Sequence, residues 1–301
     1  MLIEYIVCKD DDGRLLKYVL KSSMNISTRL LNKLKAQNKI YKNGISVKVI
    51  EKVNEGDLVS VHLELEEENE DIIPQDIPLN IIFEDDCLLV LNKQPGIVVH
   101  PTVYHPDGTI ANGIVHYLKK QGIIKKVRPV SRLDRDTSGV IIFAKNQYAQ
   151  EMLIQQMQQG HFEKHYIGVV HGIPKGKSGT IDLPIDRKPG SIMERHISST
   201  GARAITHFEV EKTFSIHNAA MLKFKLETGR THQIRVHSKA IGHPLFGDTL
   251  YSDICDTFIS RQALHSNITR IIHPITRKGL EFIAPCPDDI KILLEILSKD
   301  L

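Results

Sequence analysis

Between Glu64 and Pro78 the sequence stops supporting a core. The run ELEEENED, residues 64–71, holds six acids in eight positions, and Pro74 and Pro78 follow. Like charges repel and proline removes a backbone donor, so this stretch reads as an acidic, solvated linker over 64–78. It divides the apolar pattern in two. The chain is therefore expected to fold as a small module over residues 1–63 and a much larger unit over 79–301.

The small module carries the opposite charge. From Arg14 to Lys48 there are nine Lys or Arg and no Asp or Glu. Its apolar pattern predicts an α/β fold. RLLKYVLK has helical spacing, and STRLLNKLKAQN predicts a second helix with Ser27 as N-cap and Leu30, Leu31 and Leu34 on one face. Arg29 and Lys33, four apart, share the other face. IYKNGISVKVI predicts a hairpin turned at Asn43-Gly44, and GDLVSVHLEL a half-buried strand. An acid-free basic face reads either as a phosphate-binding surface or as ordinary solvated surface.

After the linker, LNIIFEDDCLLVLNKQPGIVVHP predicts two apolar strands, and AQEMLIQQMQQ an amphipathic helix stopped by Gly160. Strands and occasional helices then alternate without the regular strand–helix repeat of a parallel sheet. The expected class is α+β: a large domain with a mixed, mostly antiparallel sheet and flanking helices. No apolar run reaches the roughly 18 residues of a membrane span, and the N-terminus lacks a signal-peptide pattern. Cys8, Cys87, Cys255 and Cys286 are scattered and form no C-x-x-C pair. A reduced, cytoplasmic protein is expected.

The chemistry concentrates in SRLDRDTSG, residues 131–139, beside the apolar run VIIFAKN. Carboxylates there are costly unless paired. On this nonapeptide alone, Asp134 is as readily a structural cap as a reacting group. Asp136, two positions on, points away from Asp134 if the backbone is extended, and main-chain donors are expected to hold it. None of the fifteen histidines falls in an H-E-x-x-H pattern, and no P-loop or paired-glycine fingerprint occurs. No metal and no organic cofactor are expected.

SRLDRDTSG joins KQPGIVVHP (93–101), KHYIGVVHG (164–172), ETGRTHQIRVHSKAIGHPLFGDTLY (227–251), RQALHS and HPITRKGLEFIAP. Together and in this order they resemble the RluA/RluD-type RNA pseudouridine synthases. RLLNKLKAQNKIYKNG with VNEGDLVSVHL resembles the S-four-type RNA-binding domain. The resemblance implies an enzyme that isomerises uridine in RNA to its C-glycoside without metal or cofactor. Ribosomal RNA is the favoured target and transfer RNA a possible one.

By this resemblance Asp134 of R-L-D is the nucleophile, Arg230 of T-G-R its guanidinium partner, and Tyr166 the aromatic platform for the flipped base, with removal of a proton from the sugar as a second role open to it. Arg132, Lys164, His232, Ile234, Arg235 and Leu264 are expected around the substrate. THQIRVHSKAIG is read as a helix from Thr231, with His232, Arg235 and Lys239 on one stripe that either follows a phosphate backbone or is plain surface. Arg14, Lys17, Arg29, Lys33 and Lys39 are expected to dock RNA. The family's usual His before R-L-D is replaced by Ser131, which bears on target context. Two other readings rank lower: a catalytically silent RNA-binding protein, and a hydrolase that uses Asp134 on an ester or glycoside. A monomer is expected.

Overall fold

The computed structural model describes residues 1–65, 67, 72–255 and 257–299. Glu66, Glu68, Glu70 and Asp71 of the acidic run lie outside them. The first elements are β1 (Leu2–Ile6), α1 (Leu16–Ser22), α2 (Thr28–Ala36), β2 (Ile40–Lys42), β3 (Ile45–Ser46) and β4 (Leu58–His62). The strands form an antiparallel sheet in the order β1-β4-β2-β3. α2 begins where the Ser27 hydroxyl accepts the Leu30 N–H at 3.1 Å, a cap worth about 1 kcal/mol. Asn43 and Gly44 both have positive φ, 50° and 81°, as a two-residue hairpin turn requires. Leu30, Leu31 and Leu34 bury against α1 and against Val59 and Val61 of β4.

This apolar cluster does not end with the module. It includes Tyr148 and Met152, which lie on a helix of the larger unit. The Ser27 hydroxyl donates to Glu151 at 2.8 Å, and Glu67 accepts from Lys33 at 2.5 Å and from Arg128. Burial opposes ionisation of Glu67, but the two cations outweigh it and hold its carboxyl below the ordinary range. The described part of the linker is therefore a tie between two packed bodies, which corrects the expectation of a solvated tether. Pairing at a half-buried boundary stabilises an acid that would otherwise favour water. Within the expected docking set, Lys33 pairs with Glu67 and Arg14 with the buried Asp11. Arg29 and Lys39 have no carboxylate partner among the described residues, and Lys17 lies over the Tyr18 ring.

Deleting residues 1–63 should bare Tyr148 and Met152, each worth about 1.5–3 kcal/mol when buried. The shortened chain is expected to melt several degrees lower and to bind a hydrophobic dye, checked by calorimetry and fluorescence. An unchanged Tm would show that the contact contributes nothing.

The larger unit continues with β5 (Ile81–Glu84), β6 (Leu88–Lys93), α3 (Ile110–Lys120), β7 (Arg128–Pro129), β8 (Ser138–Ala144), α4 (Gln147–Gln159), β9 (Glu163–His171), β10 (Ser178–Asp182), β11 (Ile185–Arg187) and β12 (Arg195–Ile197). β13 (Ile205–Phe214), β14 (Ala219–Leu226), α5 (Gln233–Ala240), β15 (Leu264–Ile272), β16 (Gly279–Ile283) and α6 (Asp288–Ser298) complete it. Ten strands form one sheet in the order β10-β13-β14-β9-β15-β8-β6-β5, with β16 on β15 and β7 on β8. Every pair is antiparallel except β8 with β15. The class is α+β, as expected. β6 and β8 read as unbroken apolar runs because both faces are covered. Ile114 and Leu118 of α3 pack on one side and Leu153 of α4 on the other, which is the pattern of a central strand. α4 ends at Gly160, whose φ of 77° a glycine adopts without strain.

The β8–β15 joint positions the site. Gly139 pairs with Ser266, which in turn pairs with Tyr166 of β9, so three strands meet in one row. A Cβ on Gly139 would fall 2.1 Å from the Ser266 carbonyl, so only glycine permits this approach. No helix among the described residues is long and apolar enough to cross a membrane.

Candidate active site

A cleft of about 420 Å³ opens above this row. Asp134, Tyr166, Arg230, Arg132, Lys164, His232, Ile234, Arg235 and Leu264 all line it, although they come from segments far apart in the chain. Asp134 occupies the turn just before β8, where the Thr137 N–H donates to its carbonyl at 3.1 Å. Two buried cations hold the next carbonyls of that turn. Lys93, fully buried, donates from Nζ to Arg135 O at 2.8 Å and to Gln94 O and Ile97 O at 2.9 Å. Arg261 donates from Nη1 to Asp136 O at 2.9 Å and grips Asp289 at 2.6 and 2.9 Å. Burial pulls Lys93 down to about 7, while Asp136 and Asp134 push it back up. Its three carbonyl acceptors match the three N–H groups of an ammonium.

The Asp136 carboxylate accepts from the Arg135 side chain at 3.0–3.2 Å. Among the described residues no main-chain donor reaches it, and the segment is a turn and not the extended backbone assumed from the sequence. No hydrogen bond joins the Asp134 and Asp136 carboxylates among the described residues.

Asp134 Oδ2 faces Arg235 Nη1 at 3.3 Å and His232 Nε2 at 3.8 Å. Oδ1 has no protein hydrogen-bond partner among the described residues. Arg235 is buried and makes a two-point pair with Asp248, with Nε to Oδ2 and Nη2 to Oδ1 both at 2.8 Å. Burial works against its charge, but Asp248 and then Asp134 outweigh that and raise its pKa. Arg230 is not the partner of Asp134. It is exposed, and its Nε donates to the Arg203 carbonyl at 2.9 Å.

The exchange of roles follows from how α5 begins. Gln233 Oε1 accepts from the Arg230 N–H at 3.0 Å and the Thr228 hydroxyl at 2.9 Å, while Nε2 donates to Ile205 O and Thr206 Oγ1. This staple turns the chain before the helix starts. α5 therefore begins at Gln233, and His232 sits in the left-handed region at φ 58°. The expected stripe from Thr231 is broken: Arg235 points into the cleft, while Lys239 stays exposed.

Tyr166 is buried in the cleft wall. Burial, joined by the Asp134 charge and opposed by the Ser266 hydroxyl, raises its phenol above the ordinary value, so it is a neutral ring at neutral pH. Burial lowers Lys164 to about 8. With no carboxylate partner among the described residues, its ammonium is available to an anionic ligand. Burial, opposed by Asp134, lowers His232 and keeps its ring neutral. Ile234 and Leu264 supply apolar wall.

Lys93, Arg261, Asp248 and Tyr251 were not singled out from the sequence. Each lies inside a stretch quoted for resemblance, and a buried cation or acid leaves no periodic signal. Among the described residues, Asp85, Cys87 and His273 bring metal-ligand types together. There His273 Nε2 donates to Asp85 at 2.9 Å and Nδ1 accepts the Ile275 and Thr276 N–H groups. Asp85 Oδ1 also accepts the Cys87 and Leu88 N–H groups, so the Asp85 and His273 side chains tie the chain here.

The assembled site has a carboxylate with one free oxygen, a guanidinium fixing the other, and a neutral aromatic wall. Comparison with known proteins agrees with that chemistry. Residues 87–240 match the family model described as RNA pseudouridylate synthase. The chain is 42% identical to "Uncharacterized RNA pseudouridine synthase YjbO" of Bacillus subtilis over 90% of this chain and 95% of that protein. It is 38% identical to "Ribosomal large subunit pseudouridine synthase D" of Escherichia coli K12, over 83% and 79% of the two chains. The fold is that of human RNA Pseudouridylate Synthase Domain Containing 4, with a TM-score of 0.60 at 20% identity over 74% of this chain and 94% of that one. The motifs, the site they build and these relatives converge: the chain belongs to the RNA pseudouridine synthase family.

Proposed function

We propose that Asp134 is the nucleophile that converts uridine to pseudouridine in this chain, and that its target is ribosomal RNA. The observation that carries this reading is the asymmetry of the Asp134 carboxylate. Arg235 holds Oδ2, which orients the side chain, while Oδ1 has no hydrogen-bond partner among the described residues and faces the cleft. Such orientation is what a positioned nucleophile needs. Asp134 acts as the N1–C1′ bond breaks; the uracil turns, C5 bonds to C1′, and the C5 proton leaves to solvent. The neutral Tyr166 ring stacks on the flipped base, a contact worth about 1–3 kcal/mol. A phenol raised in pKa suits stacking better than proton abstraction. Lys164, Arg132 and the exposed Arg230 meet the RNA backbone.

Residues 1–63 act in this reading as an S-four-type module with Arg29 and Lys39 free to contact phosphates. Ribosomal RNA is favoured because the relatives named for that substrate align over most of this chain. In this reading the enzyme works as a cytoplasmic monomer.

The test is incubation of the protein with large-subunit ribosomal and transfer RNA transcripts carrying tritium at uridine C5. Label release and pseudouridine from the ribosomal transcript are expected. Release from transfer RNA alone would overturn the target, and release from neither would point to a silent binder.

A further inference from the structure

The segment GDTLY, residues 247–251, carries no role in the reading above, yet its side chains stand directly behind the two groups that face Asp134. Asp248 holds Arg235. Tyr251 is buried and absent from the cleft wall, and it touches both partners. The Arg235 guanidinium lies 4.9 Å from its ring centroid, and the His232 ring meets it edge-on at 5.6 Å and 77°.

The Tyr251 hydroxyl lies 2.8 Å from the Arg195 N–H and 2.8 Å from His232 Nδ1. A main-chain N–H only donates, so the phenol oxygen accepts there. If His232 Nδ1 also donated to that oxygen, the phenol proton would be left without an acceptor in a buried site. The balanced assignment has Tyr251 donating to an unprotonated Nδ1. The neutral His232 then carries its proton on Nε2, the atom 3.8 Å from Asp134 Oδ2. At that distance it is a charge–dipole contact, directed at the same oxygen that Arg235 holds.

We propose that Tyr251 is a positioning residue that fixes the Nε2–H tautomer of His232, so that two donors face Asp134 Oδ2 and Oδ1 alone is left to react. The inference rests on the reading of Asp134 as nucleophile. It also joins the main chain of β12, through Arg195, to the reacting carboxylate. Tyr251 is buried and outside the cleft wall, so its effect is expected on turnover and not on binding.

The test is Tyr251→Phe, which keeps the ring and removes the donor. Nitrogen-15 spectra of histidine-labelled protein distinguish the two neutral tautomers, and His232→Gln identifies the His232 signals. Wild type should show the Nε2–H form and Tyr251→Phe a shift toward the other. kcat for tritium release should fall about 10- to 100-fold, the usual cost of losing an orienting hydrogen bond, with KM for RNA within about twofold. In the His232→Gln background, where an amide nitrogen takes the Nε2 place, Tyr251→Phe should cost little more. Wild-type His232 protonated on Nδ1, an unchanged spectrum in Tyr251→Phe, or a change in KM alone would overturn the proposal. Turnover by Asp134→Ala would instead sink the nucleophile reading, and the tautomer spectrum would still report on Tyr251 and His232.

Discussion

Asp134→Asn should reduce turnover at least about 10⁴-fold while leaving the fold nearly untouched. Loss of a nucleophile that acts as a unit with its partners has effects of this order, equivalent to about 5.5 kcal/mol of barrier. Stability should behave differently. The Asp134 side chain is 25% exposed and its one hydrogen bond among the described residues, to Arg235, is long at 3.3 Å. A partly solvated contact of that kind is worth at most about 1 kcal/mol, and Asn keeps the shape. Tritium release measured beside a thermal melt checks both halves. A large drop in Tm with lost activity would mean that Asp134 is a structural cap, the alternative open from the nonapeptide alone. Full activity would remove it from the chemistry.

The reverse pattern is expected one layer deeper. Asp248→Asn breaks a two-point pair whose carboxylate is fully buried and also accepts the Leu250 and Tyr251 N–H groups at 3.2 Å. Removing one member of a buried ion pair leaves the other charge uncompensated and costs about 3–5 kcal/mol. For a chain of this size that lowers Tm by roughly 10 °C. Activity should fall too, because Arg235 loses the anchor that aims it at Asp134. The compensating test is Arg235→Met with Asp248→Leu. Apolar groups of similar volume restore much of the stability of a broken buried pair, but Asp134 then has no guanidinium, so turnover stays lost. A double variant that regained both would show that Arg235 serves packing alone.

Arg230 and Arg235 show where reading along the chain stops being sufficient. Both stand in TGRTHQIR, five residues apart, and both are cations near a turn. Which one reaches Asp134 depends on where α5 begins, and that depends on Gln233 bonding to Ile205 and Thr206, a strand away. A helix drawn from Thr231 puts Arg235 on a surface stripe. In the structure His232 falls outside the helix, Arg235 is buried against Asp134 and Lys239 stays exposed. In the same way Lys33 reads as a free docking cation until Glu67 and Arg128 come beside it.

The amino-acid order by itself determined the elements with local causes. These are α2 behind its Ser27 cap, the Asn43-Gly44 hairpin, the stop of α4 at Gly160, the apolar runs of β6 and β8, and the gathering of Asp134 and Tyr166 within long motifs. Each follows from propensity, periodicity or turn chemistry over a few residues. Tertiary structure alone decided the partners of the charges. Lys93 beneath the Asp134 turn, Asp248 behind Arg235, and the module's packing on Tyr148 and Met152 join residues far apart in the chain. Side-chain pairing in a buried site is set by three-dimensional proximity and by the cost of leaving a charge unpaired, and neither leaves a trace in local spacing.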